Sequence, residues 1–435
     1  MLEEALVQIL FVGFAITPYY RDFLNRLQSQ GGVKVANVRP TGENRHIGAG
    51  VHQDFSGIGF SDLQLEERSI APRRILGLAD FETAPGCNSF EGLGELITNL
   101  HPDVIVINVN YHAAFRFDRE VVTAVHRVRA KVVLHSIPFQ LSTFSEAVNA
   151  LEIPDGLPMR SVPSPVRFLV KALGLDKTYL KFVRRRAMIR RLDFLRTVFN
   201  TADAHAVYHE GGIDVYGSYG VPSERIHVVR NSPNTEKLLN AAARHPHTDN
   251  GCQLIHIGRL VEWKRVDMLI RSVARLRIQG FPNTGLVVIG YGPCEGSLRE
   301  LARKLHVEDA IHFRGGLYEP DDLAKEFAAS SIYVMAGMGG LSINEAMCFG
   351  VPVVCSRGDG TEKFLVREGI SGMYFREGDE DSLVETLHKL FSDEQLRQRL
   401  VAESRRIIVE ELNTQIHVSN YLKLFDDLVQ KQGSR

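Results

Sequence analysis

Residues Gln253 to Leu276 read QLIHIGRLVEWKRVDMLIRSVARL. An apolar run of strand character, Gln253 to Ile257, ends on Gly258; Arg259 follows, and Lys264 stands where an amphipathic helix opens. A strand feeding a helix through so short a turn is the repeating unit of a parallel α/β sheet. The turn is also suited to an anion, because two cations and the free N–H groups of a helix N-terminus meet where a sheet ends. On their own, an Arg and a Lys at a strand end read equally well as solvated surface charges.

Working outward, the same alternation continues downstream, with strand-like runs at Gly285 to Ile289, Ala310 to Phe313, Ser331 to Met335 and Val351 to Cys355 and helices between them. Upstream, Asn240 to Gly251 reads NAAARHPHTDNG, polar and turn-rich, and marks a domain boundary. The first half carries strands at Val7 to Phe14, Val33 to Val38, Asp103 to Val109 and Lys131 to His135, and a helical period from Tyr19 to Gln30. Thr41 to Gly59 and Pro85 to Gly94 are irregular and read as loops above the carboxyl ends of strands. The expected fold is α/β, with two Rossmann-like domains facing one cleft, residues 1–240 and 251–414, and a last helix over 415–435.

Bulk properties narrow the function classes. A chain of 435 residues, 44% hydrophobic and 24% charged, has room for large cores in two or three domains. The net charge of -1 gives no field for nucleic acid, so no nucleic-acid partner is expected. Five cysteines without a CxxC pair fit free thiols rather than disulfides or structural zinc. Glu3 and Glu4 stand where a signal peptide carries cations, and no apolar window is long enough to span a bilayer, so a cytoplasmic location is expected.

A second informative stretch is Ala336 to Cys355, AGMGGLSINEAMCFGVPVVC. Gly339 and Gly340 form a flexible turn ahead of a short helix that carries Glu345. Glycines there let backbone amides approach phosphate oxygens, and a carboxylate further along can hold sugar or ribose hydroxyls. The plainer readings are an ordinary turn and a helix-surface charge.

Together these stretches resemble the C-terminal domain of the GT-B-fold retaining glycosyltransferases of family 4, the glycosyl transferases group 1. The resemblance rests on Gly258, Arg259 and Lys264; on Gly290 and Gly292 in VVIGYGP; on Arg314-Gly315-Gly316-Leu317; and on Gly340 to Met347 followed by Gly350-Val351-Pro352-Val353-Val354, in family order over about 120 residues. Tyr219 to Pro222 and Val228 to Asn231 are similar to the family's approach to the hinge, and the last helix to the one that crosses back to the first domain. The resemblance implies that Arg259 and Lys264 bind the donor diphosphate without a metal, the nucleotide-sugar being a co-substrate rather than a cofactor. It implies further that Glu345 binds the donor ribose, that Gly340, Leu341 and Ser342 offer backbone groups to the phosphates, and that Gly292 and the loop Arg314 to Leu317, with Gly316, line the nucleotide site. His135, at the end of VVLHS, matches a histidine that touches the donor sugar, and Gly13 is the single match to the glycine-rich turn after the first strand.

One position departs from the pattern. The family's first glutamate falls on Gly337, which leaves the contact to the transferred sugar open. Asp359 or Glu362 in GDGTEK could replace it, although a turn and a helix cap explain those two more simply. His112, ending VINVNYH, reads as a packed residue. The acidic run Gly378 to Ser382 reads as a helix cap rather than a metal site. From Arg160 to Arg196 stand eleven cations against Asp176 and Asp193, and residues 177–196 read either as a peripheral membrane contact or as an ordinary core-packing helix. The reading is a metal-independent, retaining sugar transfer to a glycan, lipid-linked or small-molecule acceptor. A nucleotide-sugar epimerase and a catalytically silent sugar-nucleotide-binding protein are the alternatives.

Overall fold

The computed structural model describes residues 6–42, 52–70, 87–136, 141–149, 189–248, 251–357 and 362–433. Its first lobe is built on β1 (Val7–Val12), β2 (Val33–Pro40) and β3 (Ser61–Leu65), a small antiparallel pair β4 (Glu67–Ser69) and β5 (Asn88–Phe90), then β6 (Val104–Asn108), β7 (Lys131–Ser136), β8 (Ala204–Val207) and β9 (Ile226–Val228). The large sheet has the order β3-β2-β1-β6-β7-β8-β9, and every pairing in it is parallel. The second lobe contains β10 (Gln253–Ile257), β11 (Gly285–Ile289), β12 (Ile311–Gly315), β13 (Ile332–Met335), β14 (Val353–Cys355) and β15 (Gly372–Tyr374), parallel throughout in the order β12-β11-β10-β13-β14-β15. This is the GT-B arrangement of two Rossmann-like lobes.

Each sheet is buried on both faces, which is why its strands are runs of Val, Ile and Leu rather than alternating sequences. Strand order reverses between β1 and β6 in the first lobe and between β10 and β13 in the second. Outside the carboxyl ends of strands at such a reversal lies the crevice where open α/β sheets bind ligands.

Two expectations need correction. The chain leaves the first lobe at Arg230 to Pro233, earlier than the polar segment 240–251. Helix Thr235–Arg244 already packs Leu238 and Ala241 into the second core beside Ile255, Phe327 and Ala346. Part of the second loop candidate, Pro85 to Gly94, is strand β5.

The chain returns at Leu412 to Thr414. Helix Thr414–Gly433 then lays Val418, Tyr421, Leu424, Phe425 and Leu428 into the first core, as expected of the last helix. The two passages are hydrogen-bonded to each other. Thr235 N–H donates to Thr414 Oγ1 at 3.0 Å, Thr414 N–H to Thr235 Oγ1 at 3.2 Å, and Thr414 Oγ1 to the Pro233 carbonyl at 2.8 Å.

Residues 177–188 of the basic segment lie outside the described residues. Of the remainder, Leu192 and Phe194 are core residues and Ile189 is exposed. Among the described residues no helix is long and apolar enough to cross a membrane. All five cysteines are free thiols.

Candidate functional site

At the reversal in the second sheet, the loop after β10 lies backbone to backbone on the loop after β11. Gly258 N–H donates to the Ile289 carbonyl at 3.0 Å and Leu260 N–H to the Tyr291 carbonyl at 2.9 Å. A side chain at Gly290 or Gly292 would overlap the Gly258 or Leu260 carbonyl, so these glycines are required by the approach of the two loops. Arg259 is half-buried, with its guanidinium 5.7 Å from the centroid of the half-exposed Trp263 ring. Lys264 closes the 3-10 turn Glu262–Lys264. Arg265 then takes a left-handed conformation, φ 52°, that launches helix Val266–Ile278.

The loop after β13 lies directly on this turn. Lys264 Nζ donates to the Met338 carbonyl at 2.7 Å. A Cβ on Gly337 would overlap the Trp263 carbonyl oxygen and stand 2.8 Å from Lys264 Cα. The glycine at 337 is therefore a packing requirement of this backbone, which explains in physical terms the departure noted in the sequence. Gly340 and Leu341 lead into helix Ser342–Phe349, whose first N–H groups have no intrahelical acceptor.

The reading of Glu362 as a simple helix cap also needs correction. Glu362 is fully buried, and its Oε1 accepts from Gly339 N–H at 3.0 Å. One amide of the glycine turn is thus already paired with a carboxyl oxygen. Asp359 lies outside the described residues. Asp379 caps helix Glu380–Ser392 through Ser382 N–H, as expected.

Glu345 is half-buried on helix Ser342–Phe349, and desolvation pushes its carboxyl up to about 7. Ser342 Oγ accepts from the buried phenol of Tyr333 at 2.8 Å. After β12, Arg314 pairs with Glu326 at 3.0 Å, Gly316 lies between the half-exposed rings of Tyr291 and Tyr318, and Leu317 packs on the second core.

In the first lobe, Gly13 follows β1 with φ 82°, and the ring of Tyr111, which follows β6, occupies the space a Cβ would need. His135 is the penultimate residue of β7, buried edge-on to Phe14 at 5.1 Å and Tyr208 at 5.0 Å. Burial, with a smaller contribution from nearby His417, lowers its pKa to about 3, so the ring is neutral at pH 7. His112 Nε2 lies 3.2 Å from the carbonyls of Ile107 and of His135, which confirms its packing role.

Between the lobes lies a cavity of about 300 Å³. Tyr19, Tyr208 and Asn231 line it from the first lobe; Gly339, Gly340 and Asn344 line it from the second. The glycine turn therefore borders both Lys264 and the interlobe space. Sequence reasoning missed Asn344, Tyr208 and Trp263, which carry no pattern that separates them from ordinary helix, strand-end and loop residues.

Residues 240–407 match the model of the family described as glycosyl transferases group 1. An uncharacterized glycosyltransferase of Methanocaldococcus jannaschii is 29% identical over 187 residues, 41% of this chain and 46% of that protein. The N-acetyl-alpha-D-glucosaminyl L-malate synthase of Bacillus anthracis is 24% identical over 219 residues, 50% of this chain and 54% of that enzyme. These likenesses thus span about half the length of each relative. The structure of Anabaena HepE in complex with UDP superposes with a TM-score of 0.63 at 14% identity, covering 97% of this chain and 100% of that one. The chain has the GT-B fold, and its residues 240–407 carry the likeness to the glycosyl transferases group 1 family.

Proposed function

We propose that the chain is a retaining glycosyltransferase that moves a sugar from a nucleotide-diphosphate-sugar donor to an acceptor hydroxyl. The observation that carries this reading is the Lys264 ammonium, held 2.7 Å from the Met338 carbonyl in the glycine turn at the strand-order reversal of the second sheet. A cation fixed beside a helix N-terminus is a ready-made diphosphate site. The complex of HepE with UDP, a protein of this fold, supports a nucleotide as the ligand.

In this reading Lys264 and Arg259 take the charge that grows on the leaving diphosphate, a role in which one preorganised donor contributes about 3 kcal/mol. They do this without a divalent ion. Glu345 accepts from the ribose hydroxyls. The acceptor hydroxyl attacks the anomeric carbon from the face the diphosphate leaves, and its proton passes to the departing phosphate oxygen. Closure of the lobes keeps water from the anomeric carbon. The acceptor is a glycan, lipid-linked or small-molecule alcohol, reached from the cytoplasm or from a membrane surface contacted through residues 177–196.

The test is release of nucleoside diphosphate from UDP-glucose, GDP-mannose and ADP-glucose with a panel of alcohol acceptors, in EDTA. NMR of the product reads the anomeric configuration. Release that persists in EDTA with retained configuration supports the reading, whereas an inverted product or recovery only with added Mg²⁺ or Mn²⁺ refutes that part of it.

A further inference from the structure

His209 and Phe364 stack across the two lobes, with ring centroids 3.8 Å apart and planes 14° from parallel. His209 stands two residues beyond β8 and is buried; Phe364 is half-buried on the short helix Glu362–Leu365 of the second lobe. Behind the pair lies Gly211, the first residue of helix Gly211–Ser218. A Cβ there would stand 3.0 Å from His209 Cε1 and from Phe364 Cζ, so a bare backbone at 211 lets Phe364 reach the imidazole. An aromatic pair seated this closely resists sliding, because either ring must leave its packed site to move.

Phe364 is tied in turn to the glycine turn. Glu362, two residues earlier on the same helix and fully buried, accepts from Gly339 N–H at 3.0 Å. The Tyr374 hydroxyl lies 2.9 Å from the Glu362 carbonyl and 2.7 Å from the Val366 carbonyl, which holds that helix against β15. The residue before Gly339 is Met338, whose carbonyl accepts from Lys264 Nζ at 2.7 Å. An unbroken run of contacts therefore leads from His209 in the first lobe to Lys264 in the second. It passes from ring to ring, through one helical turn to the Glu362 carboxyl, and along the glycine turn. Because the helix is only four residues long and pinned at both ends, Phe364 and Glu362 cannot shift independently.

We propose that Phe364 is a positioning residue: held by His209 of the opposite lobe, it fixes Glu362 and so sets the Met338–Gly339 turn in the geometry that receives the diphosphate. The inference rests on the transferase reading. It adds that the first lobe, which supplies neither Lys264 nor Arg259, helps to shape the diphosphate site.

The experiment is hydrogen exchange by mass spectrometry on the full chain without ligand, read at the Gly339 amide, followed by calorimetric titration with UDP, GDP and ADP. His209→Leu removes the ring from the first lobe and leaves every residue of the second intact; Phe364→Leu removes its partner; His209→Phe keeps an aromatic face. His209→Leu and Phe364→Leu each speed exchange at Gly339 about three- to tenfold and weaken the tightest-bound diphosphate by a similar factor. His209→Phe stays within about twofold of the wild type in both measurements. The variant carrying both leucines exchanges no faster than Phe364→Leu alone, as expected of one shared contact. Unchanged exchange in His209→Leu, additive effects in the double variant, or faster exchange spread evenly over β10, β11 and β13 overturn the positioning role. Altered exchange with unchanged diphosphate affinity also overturns it, and the transferase reading then stands. If none of the three diphosphates binds the wild type, that reading falls, and the positioning role with it. A Phe364→Leu chain that fails to fold leaves the two His209 variants to decide.

Discussion

Gly337 rests against the carbonyl of Trp263 so closely that a Cβ at 337 would overlap that oxygen. The contact holds the glycine turn down on the segment that ends in Lys264. Gly337→Ala is expected to cost about 1–3 kcal/mol, as overpacking does, and to weaken nucleoside diphosphate binding by lifting Met338 away from Lys264. Gly337→Glu is expected to behave worse, not better, despite restoring a carboxylate. Melting curves and titrations with UDP, GDP and ADP check both, and a Gly337→Glu protein with full stability and higher turnover would refute the packing account.

Removal of either cation tests the charge-stabilising role directly. Lys264→Ala and Arg259→Ala are each expected to lower turnover about a hundredfold or more. Steady-state kinetics decide the point; a fall of less than tenfold in either variant excludes the assigned role for that residue.

Glu345 makes a pH prediction. Its carboxyl rises from 4.5 to about 7 through desolvation, so between those values the folded chain binds more protons than the unfolded one. This contribution to stability is full below about pH 4.5 and is lost as the pH climbs through 7. Glu345→Gln should flatten that part of the stability profile in denaturant titrations. Ribose hydroxyls donate best to the ionised form, so wild-type nucleotide affinity should rise from pH 6 to 8, and the variant should lose that rise.

Glu362 accepts from the Gly339 amide, in the turn proposed to meet the diphosphate. Glu362→Gln keeps an acceptor for the amide but removes the ionisable group, and tightening of nucleoside diphosphate binding by about three- to tenfold is the outcome expected of anion repulsion at this position. Glu362→Ala leaves the amide unpaired and opens a void, costing about 1–3 kcal/mol. Unchanged affinity in Glu362→Gln would show that this carboxylate does not compete with the ligand.

Much of this was legible in the sequence. The β10 turn and helix stood out because Leu254 to Ile257 is apolar throughout and the period then changes to that of a helix. Gly285 to Ile289 matched β11 residue for residue. Strand β8, AHAV, escaped notice because it is four residues long and buries a histidine, His205, that donates to the Phe199 carbonyl at 2.9 Å. The sequence boundary at 240 cuts through helix Thr235–Arg244 because the polar residues at its end resemble a linker, while its buried Leu238 and Ala241 have partners far along the chain. In the site, the sequence identified Gly337 as a missing carboxylate but had no means to reveal the Trp263 carbonyl beneath it. Asn344, between Ile343 and Glu345, borders the interlobe cavity only because the opposite lobe lies over it.

The pairing of Thr235 with Thr414 limits how the molecule can deform. Both covalent passages cross at one pinned point, so sliding one half along the other must break those bonds, whereas pivoting about that point preserves them. The gap between Tyr208 and Asn344 is then set by rotation about that point. Thr414→Val loosens the pivot, and small-angle scattering with and without UDP should show one discrete compaction in the wild type and a broadened distribution of sizes in the variant.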